Sequence, residues 1–284
     1  MEPRAVVAPP AGLTLTDLDD DSLRHVAAVG GFEVRALLLA VCRGTRDAVR
    51  VMRWPVDARL PSDRRLVLTG GVTLVGGRLV GVPDEQFTGG MVDDVPGNHY
   101  VKVKGPGTVV TLRDVAVRGV GFWLERGSRL VLEGCEIDAA PFAALRVGKG
   151  CAAEVSGGRI SGAGGCGVTV RDGELLLTRA EVLGSASHGI SCSGEGSRCW
   201  VQGGEVSGSG NVGVWAGAGA SVTLESLRAS GNRLALMSDG DGTRVEVLGG
   251  CQMDGVSPGV DLSDFCQMGG TVAVFGLEHT NDGW

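Results

Sequence analysis

From residue 128 onward, apolar and polar side chains alternate in short runs that return at a fixed interval. Cut after Gly127, the chain reads as six units of 23 residues: "SRLVLEGCEIDAAPFAALRVGKG", "CAAEVSGGRISGAGGCGVTVRDG", "ELLLTRAEVLGSASHGISCSGEG", "SRCWVQGGEVSGSGNVGVWAGAG", "ASVTLESLRASGNRLALMSDGDG" and "TRVEVLGGCQMDGVSPGVDLSDF". Glycine closes the first five, at Gly150, Gly173, Gly196, Gly219 and Gly242, and Gly127 closes the stretch before them. Alternation within a unit is the strand period of two. One column holds Leu132, Val155, Thr178, Val201, Leu224 and Val247, and another Leu130, Ala153, Leu176, Cys199, Val222 and Val245. Ile137, Ile160, Leu183 and Val206 mark a second short strand. Leu145, Val147, Val168, Val170, Ile190, Val214 and Leu236 mark a third. Three strands per unit predict one coil of a parallel β-helix, each strand pairing with its counterpart about 4.8 Å along the axis. A single coil cannot bury its own inward face, so the units must stack.

The pattern resembles the right-handed parallel β-helix family, the pectate-lyase-like superfold, over about residues 66–284. "GNVGVW" and "GNRLAL" resemble that family's asparagine-containing turn ahead of the third strand. "RRLVLTGGVTLVGGRLVGV" and "HYVKVKGPGTVVTLRDVAVRG" show the same alternation with shifted spacing. Two segments, "GAGGCG" from Gly162 and "GSGNVG" from Gly208, fit the G-x-G-x-x-G pattern of dinucleotide-binding loops. That chemistry needs a helix opening behind the glycines, and the run after Gly213 has no helical period. The two matches lie 46 residues apart, two units, so they are expected at one repeated turn position.

Ahead of the coils the period changes. "LTDLDDDSLRHVAAVGGFEVRALLLAVCRGTRDAVRVM" spaces its apolar residues as an amphipathic helix does, for instance at Val34, Leu37, Leu38 and Val41. The expected organisation is a flexible stretch over 1–12, a helical segment over 13–53, a linker over 54–65 and the β-helix over 66–284. One reading of the helical segment is an end cap covering exposed strand edges. The other is a resemblance to the F-box, carried by "LTDLDDDSLRHV" and "LLLAVCRGTRDAV" in order and spacing. Thr16 stands where that motif usually has proline, and Thr45 where it has an aromatic residue. The resemblance implies docking on an Skp1-type adaptor through Leu15, Leu18, Leu23, Leu37, Leu38 and Val41, with the β-helix facing an unidentified target protein.

Composition supports the repeat reading and narrows the partners. Forty-nine glycines and 4% aromatic residues suit short strands and tight turns. A net charge of −7 argues against a nucleic-acid backbone as partner. No apolar stretch reaches a bilayer-spanning length and no signal-peptide pattern opens the chain, so an intracellular location and no membrane contact are expected. The eight cysteines form no C-x-x-C pair and are expected to be reduced, mostly buried thiols, with no metal and no cofactor.

The search for catalytic groups returns little. "SHGIS" around His188 resembles the histidine segment of polygalacturonases, but no carboxylate pair lies one coil upstream, where acid and base would have to flank a sugar. Asp172, Glu195, Asp241 and Asp264 recur at the next-to-last position of the unit, before the closing glycine in the first three and before Phe265 in the last, interrupted by Ala218, with Asp239 nearby. They read as turn residues, or as a column whose mutual repulsion a cation would relieve. Asp93 and Asp94 lie outside the regular units, and Trp123, Trp200 and Trp215 sit singly in strands. The expected function is therefore a non-catalytic interaction module, a substrate-recognition subunit of a ubiquitin ligase. A carbohydrate-active β-helix enzyme with a non-standard site and a purely structural solenoid are the alternatives.

Overall fold

The computed structural model describes residues 51–53, 58–60, 67–81, 100–253, 266–267 and 271–274. The chain divides into two compact units, Met1–Met52 and Arg53–Trp284. The F-box-like residues Leu15, Leu18, Leu23, Leu37, Leu38 and Val41 lie outside the described residues, as do Asp93, Asp94 and Asp264.

The second unit is a parallel β-solenoid whose described residues contain strands and turns and no helix. Among the described residues the strands form three sheets of ten, nine and nine, and every strand pairs in parallel with its counterpart in the neighbouring coil. One coil illustrates the path: Arg129–Glu133 in the first sheet, Glu136–Asp138 in the second and Leu145–Val147 in the third. Side chains alternate inward and outward along each strand, so like columns stack. Leu130, Leu132, Ile137, Leu145 and Val147 are almost completely buried, and the equivalent residues of later coils extend these columns.

The stacking is not a strict repeat of 23. Val155 pairs with Leu177, a step of 22 residues, and Leu177 pairs with Val201, a step of 24. The strand Glu174–Thr178 therefore begins one residue earlier than constant spacing predicts. Leu175 and Leu177 are buried, while Leu176 and Thr178 turn outward. In the second sheet Val182 takes the inward place predicted for Leu183. A one-residue shift moves a whole strand's side chains to the opposite face. Burying two leucines rather than a leucine and a threonine hydroxyl decides the register. The longer following turn takes up the slack. There Ser197, fully buried, donates its hydroxyl to the Ser193 carbonyl and accepts the Asp172 N–H at 2.7 Å.

The corner between the second and third sheets accounts for the glycine fingerprints. Ala139, Gly162, Gly184, Gly208 and Gly231 all have φ between 52° and 65°, the left-handed region that glycine enters without penalty. Gly162 and Gly208 thus hold one turn position two coils apart. The two asparagine turns, by contrast, are not equivalent. Asn232 accepts the Ser209 N–H at 2.9 Å and donates to the Val206 carbonyl at 2.9 Å, so it stands beside Ser209 rather than Asn211.

Candidate functional site

Because the inward columns only fill the core, any recognition chemistry must come from outward columns and corners. On the third sheet one outward column reads Lys102, Trp123, Arg146, Thr169, Ser191, Trp215 and Met237. In its first three coils the indole of Trp123 meets a cation from each neighbour. The Lys102 ammonium lies 3.9 Å from the ring centroid and the Arg146 guanidinium 4.7 Å. Both distances are within the range of cation–π attraction. Tyr100 meets Trp123 edge-on at 5.8 Å and stacks on Phe142 at 6.5 Å, bracing the cluster from the buried side. Burial raises the Tyr100 phenol above its ordinary pKa, against the opposing pull of the Arg146 charge.

Beside this cluster, where the third sheet turns into the first, an open groove of about 620 Å³ is lined by Lys102, Lys104, Trp123, Glu125, Arg126 and Lys149. Glu125 lies 3.3 Å from the Lys102 ammonium and 4.0 Å from that of Lys104. Arg126 and Lys149 are exposed, and among the described residues neither has a carboxylate partner. Lys104, Arg126 and Lys149 come from three successive coils, Lys104 standing level with Glu125 and one position short of Arg126, so like charges gather at one corner of the solenoid. Arg126 also holds φ at 59°, a left-handed conformation that side chains other than glycine adopt at a cost.

The acidic residues singled out from the sequence lie farther along the same corner but do not stack. Gly194, not Glu195, packs against the Asp172 carboxylate, and Glu195 packs against Gly219. Asp241 belongs to a later coil still. The one-residue register change at Glu174 offsets Asp172 from Glu195, and among the described residues no three His, Cys, Asp or Glu side chains gather as a metal site would require. Asp172, with φ at 53°, holds a tight turn.

His188 stacks on Trp215 with ring centroids 5.7 Å apart, and burial lowers its pKa below the ordinary value of 6.5. Its Nδ1 is buried without a hydrogen-bond partner. Trp200 points outward from the first sheet, 40% exposed, so the three tryptophans do not form one platform. Cys135, Cys151, Cys166, Cys192, Cys199 and Cys251 are free thiols. Desolvation pushes Cys192 up to about 12 and Cys199 well above its ordinary value, which keeps both protonated and unreactive.

Sequence reasoning missed Lys102, Lys104, Arg126, Arg146 and Lys149. A signal existed. The position before the closing glycine is basic at Arg126 and Lys149, then acidic at Asp172, Glu195 and Asp241, and Lys104 likewise precedes a glycine. The sign reverses between Lys149 and Asp172.

No curated protein and no solved structure matches the chain. The stacked coils carry a right-handed β-helix domain, matched over residues 143–274 by the family model described as a right handed beta helix region.

Proposed function

We propose that the protein is a non-catalytic interaction protein that presents the outer face of its third sheet to a target. The carrying observation is the groove beside Trp123, where a solenoid's stability calls for neither clustered cations nor a large aromatic residue. A two-carboxylate glycosidase places two acids about the scissile bond. This groove offers Glu125 alone, and Lys102 and Lys104 engage it. The arrangement suits holding an anionic group rather than cleaving a sugar.

The finer part of the reading concerns residues 13–53, where the F-box-like order of leucines, acids and "VCRGTRD" supports docking on an Skp1-type adaptor. Docking of this kind concentrates its energy in a few apolar anchors. Mixed with a purified Skp1-type adaptor, the full chain should co-elute in gel filtration, and a Leu18→Ala, Leu23→Ala double variant should not. The β-helix of that variant should melt at nearly the parent temperature. Absence of co-elution with the parent chain would reject the adaptor role and leave the third-sheet surface untouched. Earlier melting of the double variant without adaptor binding would mark the segment as an end cap.

A further inference from the structure

We infer that the groove formed by Lys104, Arg126 and Lys149 takes an acidic, extended peptide segment of a partner protein. The inference rests on the reading of the third-sheet face as a recognition surface and names the chemistry that the surface accepts. Its first support is charge. The protein carries a net −7, yet this groove gathers Lys102, Lys104, Arg126 and Lys149 around one carboxylate, with Arg146 beside them on Trp123. Several opposite charges elsewhere on the solenoid are paired between coils, as in Arg113–Glu133 at 2.6 Å and Arg159–Glu181 at 2.8 Å, whereas the groove collects cations of one sign. An accumulation of like charge destabilises a fold unless something binds it.

The second support is backbone conformation. Arg126 occupies a left-handed turn position, held at the same corner by Gly105, Asp172, Gly194, Ala218 and Gly240. A glycine would serve the turn better, so the arginine side chain is retained there against a conformational penalty. Asp172 and Ala218 bear the same cost in other coils, so the conformation counts only together with the cations that surround Arg126.

Geometry then selects the class of anion. Lys102 and Arg146, one from each neighbouring coil, already engage the Trp123 ring, so it is not a free platform for a sugar to stack on. Long nucleic-acid backbones are disfavoured because the cations span only a few coils of an otherwise acidic protein. An extended peptide places side chains of one face about 6.7 Å apart, within reach of long side chains based about 4.8 Å apart on successive coils. The guanidinium of Arg126 can receive a carboxylate through two parallel N–H donors, and the two ammonium groups can take its neighbours.

The test is fluorescence anisotropy of the full chain against a short labelled peptide alternating glutamate and serine, with a glutamine-for-glutamate peptide as control. The acidic peptide should bind and the control should not, and binding should weaken as salt is raised, because exposed charges are screened. Lys149→Gln and Arg126→Gly should each weaken binding by roughly two- to fivefold, the scale of one exposed charge pair. The triple variant Lys104→Gln, Arg126→Gly, Lys149→Gln should abolish it. Arg126→Gly should melt no lower than the parent, since glycine relieves the left-handed backbone; a purely structural arginine would give the opposite result. Equal binding of both peptides, or unchanged affinity in the triple variant, overturns the inference. If polygalacturonate or duplex DNA binds in place of the peptide and the triple variant loses it, the peptide assignment falls and the recognition surface stands. Sedimentation of the parent as a dimer and the triple variant as a monomer would assign the groove to a second copy instead, whose Asp172, Glu195 and Asp241 supply the acids. If every ligand that binds is indifferent to these variants, both the inference and the surface reading are rejected.

Discussion

The outer faces of the first and third sheets are built by the same alternation on the same coils, yet they handle charge differently. On the first sheet arginines answer glutamates across coils, Arg113 with Glu133 and Arg129 with Glu154, and the Gln202 amide donates to Glu225 at 3.4 Å. Between them Val131, Leu176 and Trp200 lie in one outward column that Glu154 interrupts. On the third sheet the early coils bring cations around Trp123 and leave Arg126 and Lys149 unmatched. A solenoid repeats its backbone geometry, so neighbouring coils automatically become charge partners. A face that satisfies its own charges is a solvated surface. One that accumulates a single sign has its partner elsewhere.

The largest effect expected is on what the two faces share. Deleting residues 174–184 removes about half a coil, should turn inward side chains outward through the later coils, and should abolish the cooperative β-sheet melt seen by circular dichroism. Deleting 174–196 should be far better tolerated, because the turn lengths it creates already occur in the solenoid. Equal damage from both would mean that the faces are not held by one register. Val201→Asp places an unpaired charge at a position only 2% exposed and should cost several kcal/mol in thermal or urea unfolding.

A third measurement separates the faces by pH. Burial holds His188, stacked on Trp215 of the third sheet, below 6.5, so the unfolded chain takes up its proton first. Its contribution is complete above about pH 6.5 and is lost as the pH falls below that value. Melting temperature should therefore drop on acidification from neutral pH, and His188→Gln should flatten that slope, whereas Arg129→Gln on the first sheet should leave it unchanged. The stability effect of Arg129→Gln should stay within about 1 kcal/mol, as for other exposed ion pairs, and should shrink in high salt. Smallest of all is Asp241→Asn, expected within about 0.5 kcal/mol in either direction with or without added calcium. A large loss reversed by calcium would restore a cation site at the acidic end of the corner.

Most of the architecture was legible because solenoid stacking converts a linear period into spatial neighbours. The columns through Leu130, Leu132, Ile137 and Leu145 could be read directly, and the third-strand column through Ile190, Val214 and Leu236 holds pair by pair. The coil beginning at Glu174 escaped because Gly173 and Gly196 keep the 23-residue beat while the strands between them slip by one. Glycine marks turns, and turns tolerate a residue more or less. The groove escaped for a related reason: Lys104 lies in an irregular early coil, and Trp123 looked isolated until its neighbours one coil before and after were known.

By itself the sequence determined the strand alternation, the three-sided coil and the left-handed corner at Gly162 and Gly208, since each depends on local backbone preference and a short apolar period. It also determined the sign of charge at each corner position, basic before Gly127 and Gly150 and acidic before Gly173. Only the tertiary structure decided which residues share a coil face. Register is set by burying Leu175 and Leu177 against Ala153 and Val155, a collective packing choice that no single unit can make. That choice separates Asp172 from Glu195, and the register of the earlier coils likewise sets Lys102 and Arg146 to either side of Trp123 in its column, because both depend on contacts between residues more than twenty positions apart in the chain.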